Sequence, residues 1–181
     1  METIFASSNQ FISAIKIIRI SGRKAKEIPR IFDFQKTKPK QFQIRSIKYN
    51  GKAIDKAPVV WIPGPNSYTG EDMYELHIHG SIALEKIIYQ TLLNEKNFKI
   101  ADKGEFTKRA LLNGRIDLVQ AEAINDLINS ETKKQLEIAN SHIQGGLTNS
   151  VRKWREKLIQ LSALLEALID FSDEEIPKNL E

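Results

Sequence analysis

The chain has 181 residues, a formal net charge of +4 and no cysteine. That length allows one domain with an appendage or two small domains, and 41% hydrophobic residues are enough to bury a core, which excludes a disordered chain. The missing cysteine excludes a disulfide scaffold, a thiolate metal site and a cysteine nucleophile in this stretch.

The chain opens on METIFASSNQ, without the basic-then-apolar order of a secretory signal. No apolar run approaches the ~20 residues of a membrane span. A soluble, cytoplasmic protein is therefore expected. Ala14–Ile20 (AIKIIRI) reads as a buried strand ending at Ser21-Gly22. A short helix is expected around Lys24–Phe32, then a polar, Lys-rich stretch broken by Pro39. Gln43–Tyr49 and Ala57–Ile62 read as strands around the turn Asn50-Gly51. Pro63 to Asp72 (PGPNSYTGED) is a loop by composition. Met73–His79 alternates like a half-buried strand, Ile82–Leu93 has helical spacing, and Phe98–Ala101 is a short strand. Gly104 precedes a short helical run that Asn113-Gly114 stops. Helices, strands and loops in mixed order predict an α+β domain.

The pattern changes near residue 118. Leu118–Ile128 is amphipathic, and Leu147, Val151, Trp154, Leu158, Leu161, Leu165 and Leu168 form an unbroken heptad stripe. Gly145-Gly146 breaks or weakens the helix before it. A lone helix of this kind needs partners, so two or three helices here predict the unfinished part of an all-α bundle. Charge divides at the same place. Residues 1–118 carry 20 Lys and Arg against 12 Asp and Glu, and residues 119–181 carry 7 against 11. The basic front half suits either an anionic partner or a lysine-rich soluble surface.

Three segments are too particular for scaffold alone. In PGPNSYTGEDMYELHIHG, residues 63–80, strand alternation puts Glu75, His77 and His79 on one face. Such a face can hold a metal, offer a carboxylate to an amidine-like N–H pair, or be a hydrogen-bonded polar surface. In residues 102–128, Lys108 and Arg109 lie on a helix face that is either solvated or functional, while Arg115 follows the Asn-Gly turn, where a guanidinium can reach a carboxylate. In IIRISG, Arg19 interrupts an apolar strand, so it lies at an edge, is paired, or faces a ligand. No P-loop, G-x-G-x-x-G or G-x-S-x-G is present, so the stretch carries no nucleotide-phosphate loop or nucleophile elbow of its own.

Together, IRISG, PGPNSYTGED, the HG after Glu75, GEFTKRALLNGRIDLVQAEAI and ALIDFSDEEI resemble the N-terminal part of the MnmE (TrmE) family of tRNA-modifying GTPases. The resemblance spans nearly the whole chain. It implies an α/β folate-binding and dimerisation domain over 1–117, a mixed sheet with flanking helices similar to that of the aminomethyltransferases. The start of a helical domain would follow over 118–181, stopping where an inserted G domain would begin. By this resemblance the segment is non-catalytic alone and binds 5-formyltetrahydrofolate or a related one-carbon folate through Arg19, Glu75 and Arg115, with no metal of its own. GTP, Mg2+ and K+ would belong to the missing G domain. The partners implied are a second copy, the flavoprotein MnmG and tRNA. Two departures stand out. A Gly-rich family stretch is replaced by Ser7 to Ala14, without glycine, and Gly-Gly-Pro becomes Gly80-Ser81-Ile82. The lost glycines at 7–14 favour one alternative, a structural dimerisation module with a degenerate folate site; the basic residues 1–118 leave another, a tRNA-docking domain.

Overall fold

In the computed structural model, which describes residues 2–8 and 13–170, the chain divides into two units, Met1–Ile116 and Asp117–Glu181. The first is built on one six-stranded sheet. Its strands are β1 (Thr3–Ser7), β2 (Ile15–Ser21), β3 (Gln43–Tyr49), β4 (Lys52–Ile62), β5 (Met73–His79) and β6 (Phe98–Ile100). They lie in the order β3-β4-β5-β2-β1-β6. All neighbours are antiparallel except β1 and β6, which run parallel. The sheet is thus mixed, as expected, and helices flank it in an α+β architecture.

Alternation separates its faces. Ile18 and Ile20 of β2, Tyr74, Leu76 and Ile78 of β5, and Phe5 of β1 point to one side. There they meet α2 (Ile82–Leu93) through Leu84, Ile88 and Leu92, and α1 (Ile28–Ile31) through Ile28. The opposite face carries Arg19, Glu75 and His77, and near it runs α3 (Glu105–Leu112).

Three elements differ from the sequence expectation. β1 was not expected. Its first three residues are all buried, so no alternation marks it, and it gains its place by pairing on both edges. The helix expected over 24–32 is a 3-10 turn at Ala25–Glu27 followed by the four residues of α1. Pro29, which lacks an N–H, sits in that first turn. β4 begins five residues earlier than expected, at Lys52. Asn50 and Gly51 both have positive φ (48° and 74°), the conformation of a two-residue hairpin turn, so β4 leaves the turn already paired.

At the departure Gly80-Ser81, only the first position needs glycine. A Cβ on Gly80 would lie 1.5 Å from the Ser13 carbonyl oxygen. Ser81 has ordinary extended backbone and caps α2, its hydroxyl accepting the Leu84 N–H.

The second unit contains α4 (Leu118–Ile128), α5 (Lys133–Ile143) and α6 (Gly146–Asp170). Capping boxes at Asp117/Gln120 and Thr132/Gln135 start the first two helices. Gly145, at φ 84°, separates the last two. Gln120 donates to the Ile143 carbonyl, and Thr148 donates to the Asp117 carboxylate, tying the three together. All seven residues of the α6 heptad stripe are exposed. No described helix is long and apolar enough to cross a membrane.

Candidate functional site

The non-core face of the sheet is organised by charge. Arg19 and Glu75 are direct cross-strand neighbours on β2 and β5, two inner strands, so Arg19 is not at an edge. Its Nε donates to Glu75 Oε1 at 2.9 Å. The guanidinium lies 5.7 Å from the centroid of Tyr68 and 5.8 Å from that of Phe106. Arg19 remains 37% exposed at its side chain and Glu75 only 15%, so the carboxylate is the enclosed member of the pair. A depression of about 260 Å³ opens beside Arg19, bounded by Ala6–Ser8, Ala101–Gly104 and Phe106.

Glu75 has a second neighbour. His77, one step along the same face, has Nε2 3.4 Å from Glu75 Oε2. That nitrogen is buried and makes no hydrogen bond, and it is the one such side-chain atom among the described residues. The Phe42 ring packs edge-on against the imidazole, centroids 5.1 Å apart. His79 leaves this cluster: its Nδ1 meets Asp55 Oδ1 at 2.7 Å, and its ring is largely exposed. Among the described residues no group of three or more His, Asp or Glu could hold a metal ion.

The loop of residues 63–72 is strapped along α3. Tyr68 bonds Thr107 at 2.9 Å, and Asn113 donates to the Thr69 carbonyl at 2.7 Å. Between them Arg109 is buried, not solvated. It donates from Nη1 to both oxygens of Glu71 (2.9 and 3.2 Å) and from Nη2 to Glu105 Oε1 and the Glu2 carbonyl. Ser21 Oγ also donates to Glu71. Burial pushes the Glu105 carboxyl up, but hydrogen bonds from the Asp102 N–H, Arg109 and Lys99 outweigh it and hold it below its ordinary value. Lys108 is exposed. Helical spacing alone does not separate Lys108 from Arg109; the signal was the acidic pair Glu71 and Glu105, the latter at i−4 from Arg109.

Arg115 stands apart from Arg19 and Glu75. It lines a different depression, about 660 Å³, with Arg23, Pro65, Gly70–Asp72, Asn113 and Gly114. Its stem crosses Gly70, where a Cβ would come within 3.2 Å of Arg115 Cγ and where φ is 78°. The positive φ favours glycine there, and a Cβ would also crowd the arginine stem.

This geometry meets sequence similarity of high specificity. Residues 3–115 match the family described as GTP-binding protein TrmE N-terminus, and residues 118–181 match the MnmE helical domain. The chain belongs to the MnmE (TrmE) family. A tRNA modification GTPase MnmE from Rickettsia prowazekii is 45% identical over 184 residues, covering 99% of this chain and 41% of the relative. The protein of the same name from Caulobacter vibrioides is 39% identical over 180 residues, covering 99% and 40%. This chain therefore spans about two fifths of the length of these MnmE relatives, across their N-terminal and helical regions. Of the three residues that the family resemblance marks for folate, the structure joins Arg19 to Glu75 and sets Arg115 in the second depression. The glycine-free stretch Ser7 to Ala14 falls partly, at 9–12, outside the described residues.

Proposed function

We propose that this chain is the N-terminal module of a tRNA wobble-uridine-modifying GTPase, and that residues 1–117 bind a one-carbon folate and dimerise. The observation that carries this reading is the Arg19–Glu75 pair: an enclosed carboxylate, held by a guanidinium that lies against two aromatic rings, on the face away from the core. A pterin presents an amine and a ring N–H side by side, and a carboxylate accepts both. The donor set therefore fits the group. Glu75 would hold the pterin edge, and the anionic glutamate tail would be met by an arginine, Arg115 or Arg19. When bound there, the folate would supply a one-carbon unit for the uridine C5 substituent.

In the parent protein, GTP with Mg2+ and K+ would bind a G domain outside these residues. MnmG and tRNA would be its partners, and residues 118–181 would begin its helical domain. The names of the relatives and of the matched family support the GTPase, the tRNA and the helical domain in this assignment.

Calorimetric titration with 5-formyltetrahydrofolate, on a sample whose dimeric state is read by light scattering, tests the module. Binding at micromolar ligand is expected. Glu75→Gln should weaken it by about 10-fold or more, the usual effect of losing a charge-assisted hydrogen bond. A folded dimer that ignores the ligand would instead support the structural dimerisation module.

A further inference from the structure

The buried, unbonded nitrogen of His77 calls for an explanation, because buried polar atoms in native structures almost always have a partner. Its surroundings narrow the explanation. Glu75 Oε1 takes the Arg19 Nε–H, and Glu75 Oε2 faces His77 Nε2 at 3.4 Å without a formed bond. The carboxylate favours the tautomer with hydrogen on Nε2. From the Arg19 side to the His77 side, the polar atoms then run acceptor, acceptor, donor: Oε1, Oε2, Nε2. Each carboxylate oxygen has lone pairs to spare beyond its present neighbour.

We propose that His77 is a specificity-determining residue of this site, donating from Nε2 to a ring carbonyl that sits beside the N–H pair held by Glu75. This rests on the folate reading above and adds a chemical rule to it. A 2-amino-4-oxo pyrimidine edge runs donor, donor, acceptor, the complement of the row. A 2,4-diamino edge lacks the ring N–H and replaces the carbonyl with a donor, so it opposes the row at two positions. The row therefore selects 4-oxo ligands over 4-amino ones. Nε2 is buried, and the Phe42 ring that packs edge-on against the imidazole is itself 69% exposed, so it is the contact that binding would displace.

The test uses the full chain and two probes, 5-formyltetrahydrofolate and its 4-amino-4-deoxy analogue. Wild type should bind the 4-oxo probe at least about 10-fold more tightly. His77→Leu should lose about 10-fold toward the 4-oxo probe and little toward the analogue, the effect expected when one buried partner goes unpaired. His77→Gln, which keeps an N–H in reach, should restore most of the loss. In wild type, the His77 Nε2–H proton resonance should move downfield on adding the 4-oxo probe and not on adding the analogue, a difference that a packing role does not produce. Equal losses in the Leu and Gln variants, or an unmoved resonance, would overturn the role of His77. Binding by wild type with no loss in His77→Leu would do the same. No binding of either probe by wild type would overturn the folate reading, and this inference with it.

Discussion

Arg109→Met keeps a side chain of similar length and removes every charged contact the guanidinium makes. Glu71 would lose both Arg109 bonds and keep only the Ser21 hydroxyl among its side-chain partners, with 16% of its side chain exposed. Glu105 would retain Lys99 at 3.2 Å. One enclosed carboxylate is thus left uncompensated. Removing one partner of a buried pair costs about 3–5 kcal/mol, and the residual exposure and the surviving lysine place this case near about 3 kcal/mol. The assay is amide hydrogen exchange of the slowest β2 and β5 amides, which reads the first unit alone. Their opening free energy should fall by about 3 kcal/mol, whereas the exposed neighbour Lys108→Met should change it by less than about 0.5 kcal/mol. Adding Glu71→Gln to Arg109→Met should recover part of the loss, because it removes the orphaned charge. A fall below about 1 kcal/mol in the single variant would refute the view that Arg109 clamps the loop to α3.

Two further outcomes follow from the geometry. Gly80→Ala should cost about 3 kcal/mol, since its Cβ meets backbone that cannot swing away, while Ser81→Gly next to it should cost only a few tenths, measured by the same exchange experiment. Glu105 has a folded-state pKa below its unfolded value, so its contribution is present above the ordinary carboxylate range and is lost as pH falls through the folded value. Stability of the first unit should therefore decline on acidification, less so in Glu105→Gln, and an unchanged slope in that variant would contradict the assignment.

The residues that announced themselves in the sequence did so through local chemistry. Asn50-Gly51 marked its turn, the alternation of Met73–His79 gave a strand with those bounds, and the spacing in Ile82–Leu93 gave its helix. β1 was silent because burial on both faces erases alternation, and the short helix was overestimated because Pro29 interrupts its bonding more than its apolar spacing suggests. At the site, alternation correctly placed Glu75 and His77 together, yet could not show that Asp55 draws His79 away. Nor could it show that Arg19 meets Glu75, since that contact joins residues 56 apart and depends on strand order. The motif carrying Arg115 is equally legible, but that Arg115 lines a different depression from Arg19 depends on where α3 ends.

The Arg19–Glu75 pair also bears on how the sheet finds its alignment. Tyr74, Leu76 and Ile78 repeat at every second residue, so sliding β5 against β2 by two positions would keep every apolar side chain on the core side. Hydrophobic burial distinguishes such a slip only weakly. The slip would, however, set Arg19 opposite Met73 or His77 and leave both charges without their partner. Where the periodic apolar cores of two central strands distinguish such a slip weakly, this ionic contact adds a cost to it and helps to mark the register.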